Sequence, residues 1–236
     1  LKVRASWGRN GSTAALGNYL YASTITTDVM YPFSTSGYQV GSRPSSTGNY
    51  NLQWETSEQL DLGIDLRMLR DRLSLSADWY KKQTIDLIMT SVSSSATVGN
   101  TISPLNAGTV LNKGFEFDLG WRDNISDFSY GISANLSTLK NEVTDIYSTL
   151  TRVAGSGGSS GLRSYFEKGY PIWYMRGYEY LGVDNTDGTP ILNDLSEDGI
   201  INDADLTMIG SGIPDVTYGI TLNLAYKGFD LVAFAN

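Results

Sequence analysis

The stretch that decides the fold is LDLGIDLRMLRDRLSLSADW, residues 60–79. Apolar and polar side chains alternate through both of its halves. The apolar positions are Leu60, Leu62, Ile64, Leu66 and Met68 in the first half and Leu73, Leu75, Ala77 and Trp79 in the second. Because successive side chains point to opposite faces of a strand, a period of two indicates a strand with two different faces. The short polar turn Arg70-Asp71-Arg72 joins the halves, so the stretch predicts a two-faced β-hairpin.

Further segments of the chain show the same alternation. Their apolar positions are Leu1, Val3, Ala5 and Trp7, then Phe115, Phe117, Leu119 and Trp121, then Phe128, Tyr130, Ile132, Ala134 and Leu136, and finally Val216, Tyr218, Ile220, Leu222 and Leu224. No segment of comparable length shows the 3.6-residue period of an amphipathic helix. The sequence therefore predicts an all-β fold.

The connections between the predicted strands alternate in length. The short turns are residues 70–72, 122–127 and 227–228, and the long connections are residues 10–53, 91–106 and 147–215. Outer-membrane barrels have tight periplasmic turns and large outward loops, whereas a sandwich of hairpins has no reason to separate loop lengths in this way. Aromatic residues near strand ends, as in an interfacial girdle, are Trp7, Trp79, Tyr80, Trp121 and Tyr226. This pattern favours an antiparallel transmembrane β-barrel with long extracellular loops.

Residues 147–215 form the longest of these connections. By the same alternation they begin and end on one side of the membrane, so we expect a single extracellular excursion. The strand-like segment Ile172–Val183 should then lie within the excursion and not cross the bilayer. The chain opens and closes inside strand-like sequence, and we interpret it as part of a longer protein.

The composition excludes several classes of function. The chain has 236 residues, a formal net charge of −8, no cysteine and no histidine. A nucleic-acid binder needs a basic surface, which this balance does not supply. Without cysteine and histidine there is no thiol nucleophile, zinc–thiolate site or Ser-His-Asp triad. No pair of carboxylates is marked for glycoside hydrolysis, so we do not expect an enzyme.

Four blocks of the sequence resemble SusC/RagA-type TonB-linked outer-membrane transporters. They are LKVRASWGRNG at Leu1–Gly11, LQWETSEQLDLGIDLRMLRDRLSLSADWYKKQTIDLIM at Leu52–Met89, LNKGFEFDLGW at Leu111–Trp121, and the segment from Gly169 to Tyr218, which begins GYPIWYMRGYEYLGVD. The second block contains a W-E-T strand followed by a D-W-Y-x-K strand, and the third contains an N-K-G-x-E strand. The resemblance covers nearly the whole chain in the right order.

The resemblance implies the architecture and the partners. It implies a plugged barrel of about 22 strands, of which this chain supplies about seven. It also implies TonB-dependent import of a nutrient across the bacterial outer membrane, with TonB acting through a part of the protein not present here. A SusD-like surface lipoprotein is the expected partner, and an oligosaccharide is favoured over an oligopeptide as substrate. Association of two such transporter pairs as a homodimer is compatible with this family.

Residues 194–205 carry the sharpest local motif. The segment DLSEDGIINDAD follows the EF-hand loop pattern, with side-chain oxygens at positions 1, 3 and 5, glycine at 6, a backbone carbonyl at 7 and a carboxylate at 12. The predicted Ca²⁺ ligands are Asp194, Ser196, Asp198, the Ile200 carbonyl and Asp205, with Asn202 acting through water. Position 12 is aspartate, whereas an EF-hand has glutamate there, and in this respect the segment resembles dockerin loops. The alternative is an acidic turn that needs no ion, and the role we expect for calcium is structural.

Two aromatic groups and one acidic group are candidate contacts for substrate. The excursion carries Tyr170, Trp173, Tyr174, Tyr178 and Tyr180, of which Trp173, Tyr174, Tyr178 and Tyr180 are the candidates for stacking on sugar rings; packing of the loop is the alternative. The first long connection carries Tyr19, Tyr21, Tyr31, Phe33 and Tyr38, with the same two interpretations. The acidic residues on the polar face are Asp61, Asp65, Asp78, Glu116 and Asp118; they either contact a plug or substrate or only keep the wall hydrated.

A secreted, calcium-stabilised β-rich adhesion or glycan-binding module is the alternative from another functional class. Such a module buries its apolar strand faces in a sandwich, whereas a barrel turns them to lipid. The residues that discriminate are Leu62, Ile64, Leu75, Phe117, Ile132 and Ile220.

Overall fold

A computed structural model describes residues 1–14, 16–32, 37–89, 101–102, 104–147, 151–157 and 163–236. Strands dominate this part of the chain, and its one helical element is a short 3₁₀ turn, Asp203–Asp205. The strands are β1 Lys2–Ser12, β2 Thr24–Pro32, β3 Tyr38–Thr47, β4 Glu55–Met68, β5 Leu73–Met89, β6 Thr101–Ile102, β7 Leu105–Ile125, β8 Phe128–Thr138, β9 Lys140–Ile146, β10 Arg152–Gly157, β11 Arg163–Glu167, β12 Tyr174–Tyr178, β13 Tyr180–Val183, β14 Pro190–Leu192, β15 Leu206–Gly210, β16 Val216–Tyr226 and β17 Phe229–Ala235.

The long strands form one main sheet in the order β1-β4-β5-β7-β8-β16-β17, and β9 also pairs with β7. The predicted alternating segments all lie in this sheet, so the all-β prediction is confirmed. Pairing is antiparallel between β7 and β8, between β8 and β16, and between β16 and β17. The first and last strands of the main sheet do not pair with each other.

Strands β8 and β16 are direct neighbours although far apart in sequence. Their register is unbroken from Thr138 opposite Val216 to Phe128 opposite Tyr226. After β8 the chain stays paired with β7 through β9, leaves the main sheet after Ile146, and returns beside β8 as β16. The strand-like segment Ile172–Val183 provides β12 and β13, which pair with β15 and β14 in smaller sheets and not with the main sheet.

Two compact units can be distinguished by the density of contacts within the chain. Unit 1 contains Leu1–Gly8, Gln59–Gln83 and Val110–Asn236, and unit 2 contains Arg9–Glu58 and Thr84–Thr109. The β10-β11-β12-β15 sheet and the β13-β14 pair belong to unit 1. Unit 2 contains the β2-β3 hairpin, onto which β6 adds in parallel.

The turns that join neighbouring strands of the main sheet are tight. Lys227 and Gly228 both have positive φ, 45° and 87°, as a two-residue turn requires in order to match the twist of its strands. The β4-β5 turn is less usual, because Leu69, Arg70 and Asp71 all have positive φ and none is glycine.

Unit 1 has few buried apolar residues. Among the described residues of unit 1 they are Val110, Val143, Val153, Phe166 and Tyr174. Val110 lies in β7 at the boundary of the unit, and the other four lie in the segment between β8 and β16. The apolar side chains along the middle of the main sheet are not among them, so no second layer of the described residues covers that face. Within the described ranges, no helix is long and apolar enough to cross a membrane.

Candidate functional site

The apolar face of the main sheet is continuous and exposed. The six discriminating residues Leu62, Ile64, Leu75, Phe117, Ile132 and Ile220 are between 37% and 50% exposed. The register places apolar residues opposite one another across strands, as in Phe117 with Leu136 and Ile132 with Leu222. Soluble monomers rarely expose an apolar surface of this extent. This is the arrangement expected for strands facing lipid, and it is the opposite of the buried face that the sandwich alternative requires.

The polar face is organised around Arg4. Its guanidinium donates to both carboxylate oxygens of Asp65, with Nε–Oδ2 and Nη2–Oδ1 distances of 2.8 and 2.9 Å. The same Nη2 lies 2.8 Å from Asp78 Oδ2 and 3.1 Å from Ser76 Oγ. These contacts join β1, β4 and β5 across the polar face. Because the side chains are partly exposed, solvent screens each ion pair and its contribution to stability is small, so the cluster mainly fixes the geometry of a hydrated wall.

Gly63 makes room for this cluster. A Cβ atom at this position would lie 2.0 Å from Asp78 Oδ1 and 3.0 Å from Arg4 Cζ. Real Cβ atoms do not approach other atoms so closely, so any larger residue here would displace the carboxylate from the guanidinium. The glycine is therefore required by the Arg4 cluster and not by a positive φ.

The remaining acidic residues predicted on the polar face have simpler surroundings. Asp61 accepts from Ser6 Oγ at 3.0 Å and from the side-chain amide of Gln59 at 2.8 Å. Glu116 and Asp118 are exposed and lie opposite Ser137 and Asn135 of β8. Polar contacts of this kind suit a wall that is wetted by water, which is one of the two roles expected from the sequence.

The loop of residues 194–205 is closed by hydrogen bonds to two carboxylates. Asp194 Oδ2 accepts from the Gly199 N–H at 2.7 Å, and Asp205, fully buried, accepts from the N–H groups of Ser196 at 3.0 Å and Asn202 at 2.8 Å. These backbone donors, Asn202 first, lower the pKa of the Asp205 carboxyl below its ordinary value. Gly199 has a φ of +77°, so it makes the sharp turn that the motif assigns to its glycine.

The loop brings the predicted calcium ligands into one short segment, in which Ser196 Oγ lies 3.2 Å from Asp194 Oδ1. Among the described residues, no three acidic side chains are grouped closely enough to hold a cation. Both oxygens of Asp205 face backbone N–H groups, and Asp198 Oδ1 accepts from the Ile200 N–H at 2.8 Å. Protein hydrogen bonds therefore account for the folded loop in this conformation, and calcium binding stays a prediction.

The aromatic residues of the excursion differ strongly in accessibility. Tyr174 is only 1% exposed; its ring stacks on Tyr170 at 4.4 Å between centroids, and its hydroxyl donates to the Glu167 carboxylate. Burial, and then this hydrogen bond, raise the pKa of Tyr174 well above that of an ordinary phenol. In this conformation Tyr174 is a packing residue and its ring faces are not available to a ligand.

The other candidates in the excursion remain accessible. Tyr178 is 37% exposed and Tyr180 58%. Trp173, 38% exposed, has its ring 5.9 Å from that of Phe166 and a φ of +56°. Tyr178 and Tyr180 thus keep the exposure that stacking on a substrate requires.

Asn141, which the sequence analysis did not single out, connects the excursion to the main sheet. It is 8% exposed; its amide donates to Asn112 Oδ1 at 2.7 Å and accepts from the Ile172 N–H at 2.7 Å. Next to it, the Val143 N–H donates to the Tyr170 carbonyl at 2.8 Å. An asparagine in a strand-like segment carries no periodic signature, so the alternation pattern could not have identified it.

In the first long connection the predicted aromatic residues are placed in two ways. Tyr31 packs over Gly41 within the β2-β3 hairpin, whereas Tyr38 is 71% exposed. Tyr19 and Tyr21 are exposed and lie near Tyr50, a residue that the sequence analysis did not include. Phe33 lies outside the described residues.

Comparison with known proteins places this geometry in a family. The sequence model of the family described as TonB dependent receptor-like, beta-barrel matches residues 1–232. TonB-dependent receptor P3 of Formosa agariphila is 31% identical over 99% of this chain and 25% of its own length. TonB-dependent receptor SusC of Bacteroides thetaiotaomicron is 27% identical over 98% of this chain and 24% of its own length. The chain thus spans about a quarter of these curated relatives.

A solved structure described as that of the RagAB peptide transporter has the same fold. Its TM-score is 0.78 at 24% identity, covering 98% of this chain and 25% of the transporter chain. The match confirms the predicted barrel fold, and the relatives confirm the resemblance to SusC/RagA-type proteins and the outer-membrane location. The chain belongs to the TonB-dependent receptor-like β-barrel family.

Proposed function

We propose that this chain forms part of the barrel wall of an importer that moves a nutrient across the outer membrane with energy supplied through TonB. The observation that carries the proposal is the two-faced main sheet. Its apolar face is exposed from β4 to β16, while its other face holds the hydrated Arg4 cluster. A wall of this kind separates lipid from a polar lumen through which a soluble substrate can pass.

A SusD-like surface lipoprotein is the proposed partner. The support is the similarity to SusC, together with the structural likeness to the RagAB peptide transporter. The segment between β8 and β16 and the first long connection would lie on the outer side, since the short turns occupy the other end of the strands. We further propose that two importer–lipoprotein pairs associate as a dimer. The size of the complex purified from outer membranes would test this.

An oligosaccharide is the substrate class we favour, with an oligopeptide as the second candidate. Exposed Tyr178 and Tyr180 support the first, because aromatic ring faces stack on the apolar C–H face of a sugar. The likeness to a structure described as a peptide transporter supports the second. Structural calcium at residues 194–205 stays a proposal, supported by the ligand pattern and the turn at Gly199.

The first experiment is to extract the full-length protein from outer membranes in mild detergent and identify what co-purifies by mass spectrometry. A stoichiometric surface lipoprotein is expected, and the size of the complex shows whether one or two pairs are present. Release of the protein by buffer alone, without detergent, would contradict the barrel and favour the alternative function, a secreted adhesion or glycan-binding module. Uptake by cells lacking TonB gives the matched control, because an energised importer should then bind its substrate but not accumulate it.

A further inference from the structure

Three exposed tyrosine rings lie together in the first long connection. Tyr19, Tyr21 and Tyr50 are 73%, 54% and 82% exposed. The ring centroids of Tyr19 and Tyr21 are 6.3 Å apart with an interplanar angle of 62°, and those of Tyr21 and Tyr50 are 6.5 Å apart at 46°. We call this group the tyrosine cluster. The tilted rings leave their outer faces open to solvent, which is unusual for three neighbouring aromatic side chains.

The backbone beneath the tyrosine cluster is held by close contacts within unit 2. The Asn49 N–H donates to the Leu20 carbonyl at 3.0 Å, and the Asn49 side-chain amide donates to the Pro104 carbonyl at 3.0 Å. The Gly48 backbone packs directly against the backbone of Tyr21, because a Cβ atom at Gly48 would lie 2.3 Å from the Tyr21 carbonyl oxygen. The segments that carry Tyr21 and Tyr50 are therefore fixed side by side, and the rings are presented by a preorganised backbone.

Tyr19 adopts a backbone conformation that its side chain does not favour. Its φ of +60° lies in the left-handed region, where glycine, asparagine and aspartate are the usual residues. Residues held in this way cost about 1–3 kcal/mol and occur preferentially at functional sites. A tyrosine at this turn places a third aromatic ring beside the other two, which an ordinary turn residue would not do.

The sequence around the tyrosine cluster carries no charge. Residues 10–27 and 44–54 contain no aspartate, glutamate, lysine or arginine. Asn18 and Asn51 are the amide side chains next to the rings in sequence, while the Asn49 amide is already bonded to the Pro104 carbonyl and the Asn51 N–H. A charged peptide would meet no countercharge in these two segments. A neutral sugar chain offers an apolar C–H face for each ring and hydroxyl groups for the amides.

We propose that the tyrosine cluster is a binding site for a neutral oligosaccharide, with the sugar rings stacked on Tyr21 and Tyr50 and bordered by Tyr19. This inference rests on the proposed importer function and makes it more specific, because it names the substrate class and the residues that contact it. In an importer, the cluster would supply the first contact with the sugar before transport.

The test is the affinity of the full-length protein in detergent for defined neutral oligosaccharides. Maltoheptaose, xylohexaose and laminarihexaose are the probes, measured by titration calorimetry, with hexagalacturonate and an acidic hexapeptide as charged comparisons. At least one neutral probe should bind, and Tyr21→Ala and Tyr50→Ala should each weaken that binding by about tenfold. Tyr50→Phe should retain it, since the ring is kept. Tyr147→Ala is the matched control, because Tyr147 is exposed to nearly the same extent as Tyr21, 49% against 54%, but lies outside the cluster.

Three outcomes would overturn the proposal. They are unchanged binding in both alanine variants, an equal loss in Tyr147→Ala, and binding of the charged probes alone. Failure of the importer function itself gives a different result. If no lipoprotein co-purifies and the sugar is not taken up, but both alanine variants still lose affinity, the binding site stands and only its role in import is refuted.

Discussion

Placing a charge on the apolar face of β8 should destabilise the barrel by an amount that depends on depth. β8 begins at Phe128, immediately after the turn, and Ile132 lies four residues further along. At about 3.3 Å per residue this is about 13 Å along the strand, or about 10 Å in height for a tilt of about 40°. The apolar band of such barrels is about 25 Å tall, so Ile132 lies close to its middle. Ile132→Lys should therefore cost about 2–4 kcal/mol.

Two matched variants isolate the effect of depth and face. Ser133→Lys puts the same charge on the neighbouring residue of β8, which belongs to the polar face, and should cost little. Ile125→Lys puts it at the end of β7, where the exposed Ile125 is next to the turn, and should cost about 0–1 kcal/mol.

The assay is guanidinium unfolding of the full-length protein in lipid vesicles, followed by the heat-dependent shift of the folded band in electrophoresis. A cost of about 2–4 kcal/mol lowers the ratio of folded to unfolded protein by about 30- to 1,000-fold. Equal costs for Ile132→Lys and Ser133→Lys would refute the assignment of the two faces. A larger cost for Ile125→Lys than for Ile132→Lys would refute the assignment of depth.

Three other predictions follow from the polar face and the excursion. Gly63→Ala should push the Asp78 carboxylate away from Arg4 and cause a small loss of stability, because flexible side-chain ends can move aside, whereas Gly8→Ala, with open space around it, should have no effect in the same unfolding assay. Because the pKa of Asp205 is lowered on folding, its stabilisation is complete above the ordinary aspartate value of about 3.9 and is lost as the pH falls through the folded pKa. Pepsin should therefore cut residues 194–206 faster as the pH falls below about 4, and Asp205→Asn should be cut at all pH values tested. If calcium binds this loop, it should slow cleavage of residues 194–206 at neutral pH by a protease that itself needs no calcium. Asp194→Asn should abolish this protection. Cleavage that does not respond to calcium would show that the turn needs no ion.

The strands of the main sheet could be predicted because a sheet with one apolar and one polar face requires apolar and polar residues to alternate along each strand. The alternation in residues 60–79 requires only that each side chain differ from its neighbours, so no knowledge of distant contacts is needed. The observed strands extend beyond the alternating segments. β5 continues to Met89 and β7 begins at Leu105, where the pattern is irregular. Beyond the bilayer a strand has no lipid-facing side, so strict alternation is no longer required.

The contacts between strands could not be predicted in the same way. The polar positions of Asp65 and Asp78 followed from alternation, but their common partner Arg4 is separated from them by 61 and 74 residues. Only the pairing register brings β1 beside β4, and register is not contained in the period of any single strand. The same reason explains why Tyr50 was not associated with Tyr21, since a glycine contact at Gly48 and a hydrogen bond of Asn49 bring the two segments together.

The described structure separates the residues of the two-faced main sheet from those proposed to contact a ligand. The main sheet uses regular alternation, small polar residues and one arginine cluster, and none of these features distinguishes one substrate from another. The exposed rings of Tyr21, Tyr50, Tyr178 and Tyr180 lie in the connections, on backbone that is tied down by buried or close polar contacts such as those of Asn141 and Asn49. Substitutions on the sheet should therefore change assembly and stability while leaving substrate choice intact. Substitutions in the connections should change substrate choice without unfolding the wall, because a loop held by its own hydrogen bonds can exchange an exposed ring without altering the strands below it.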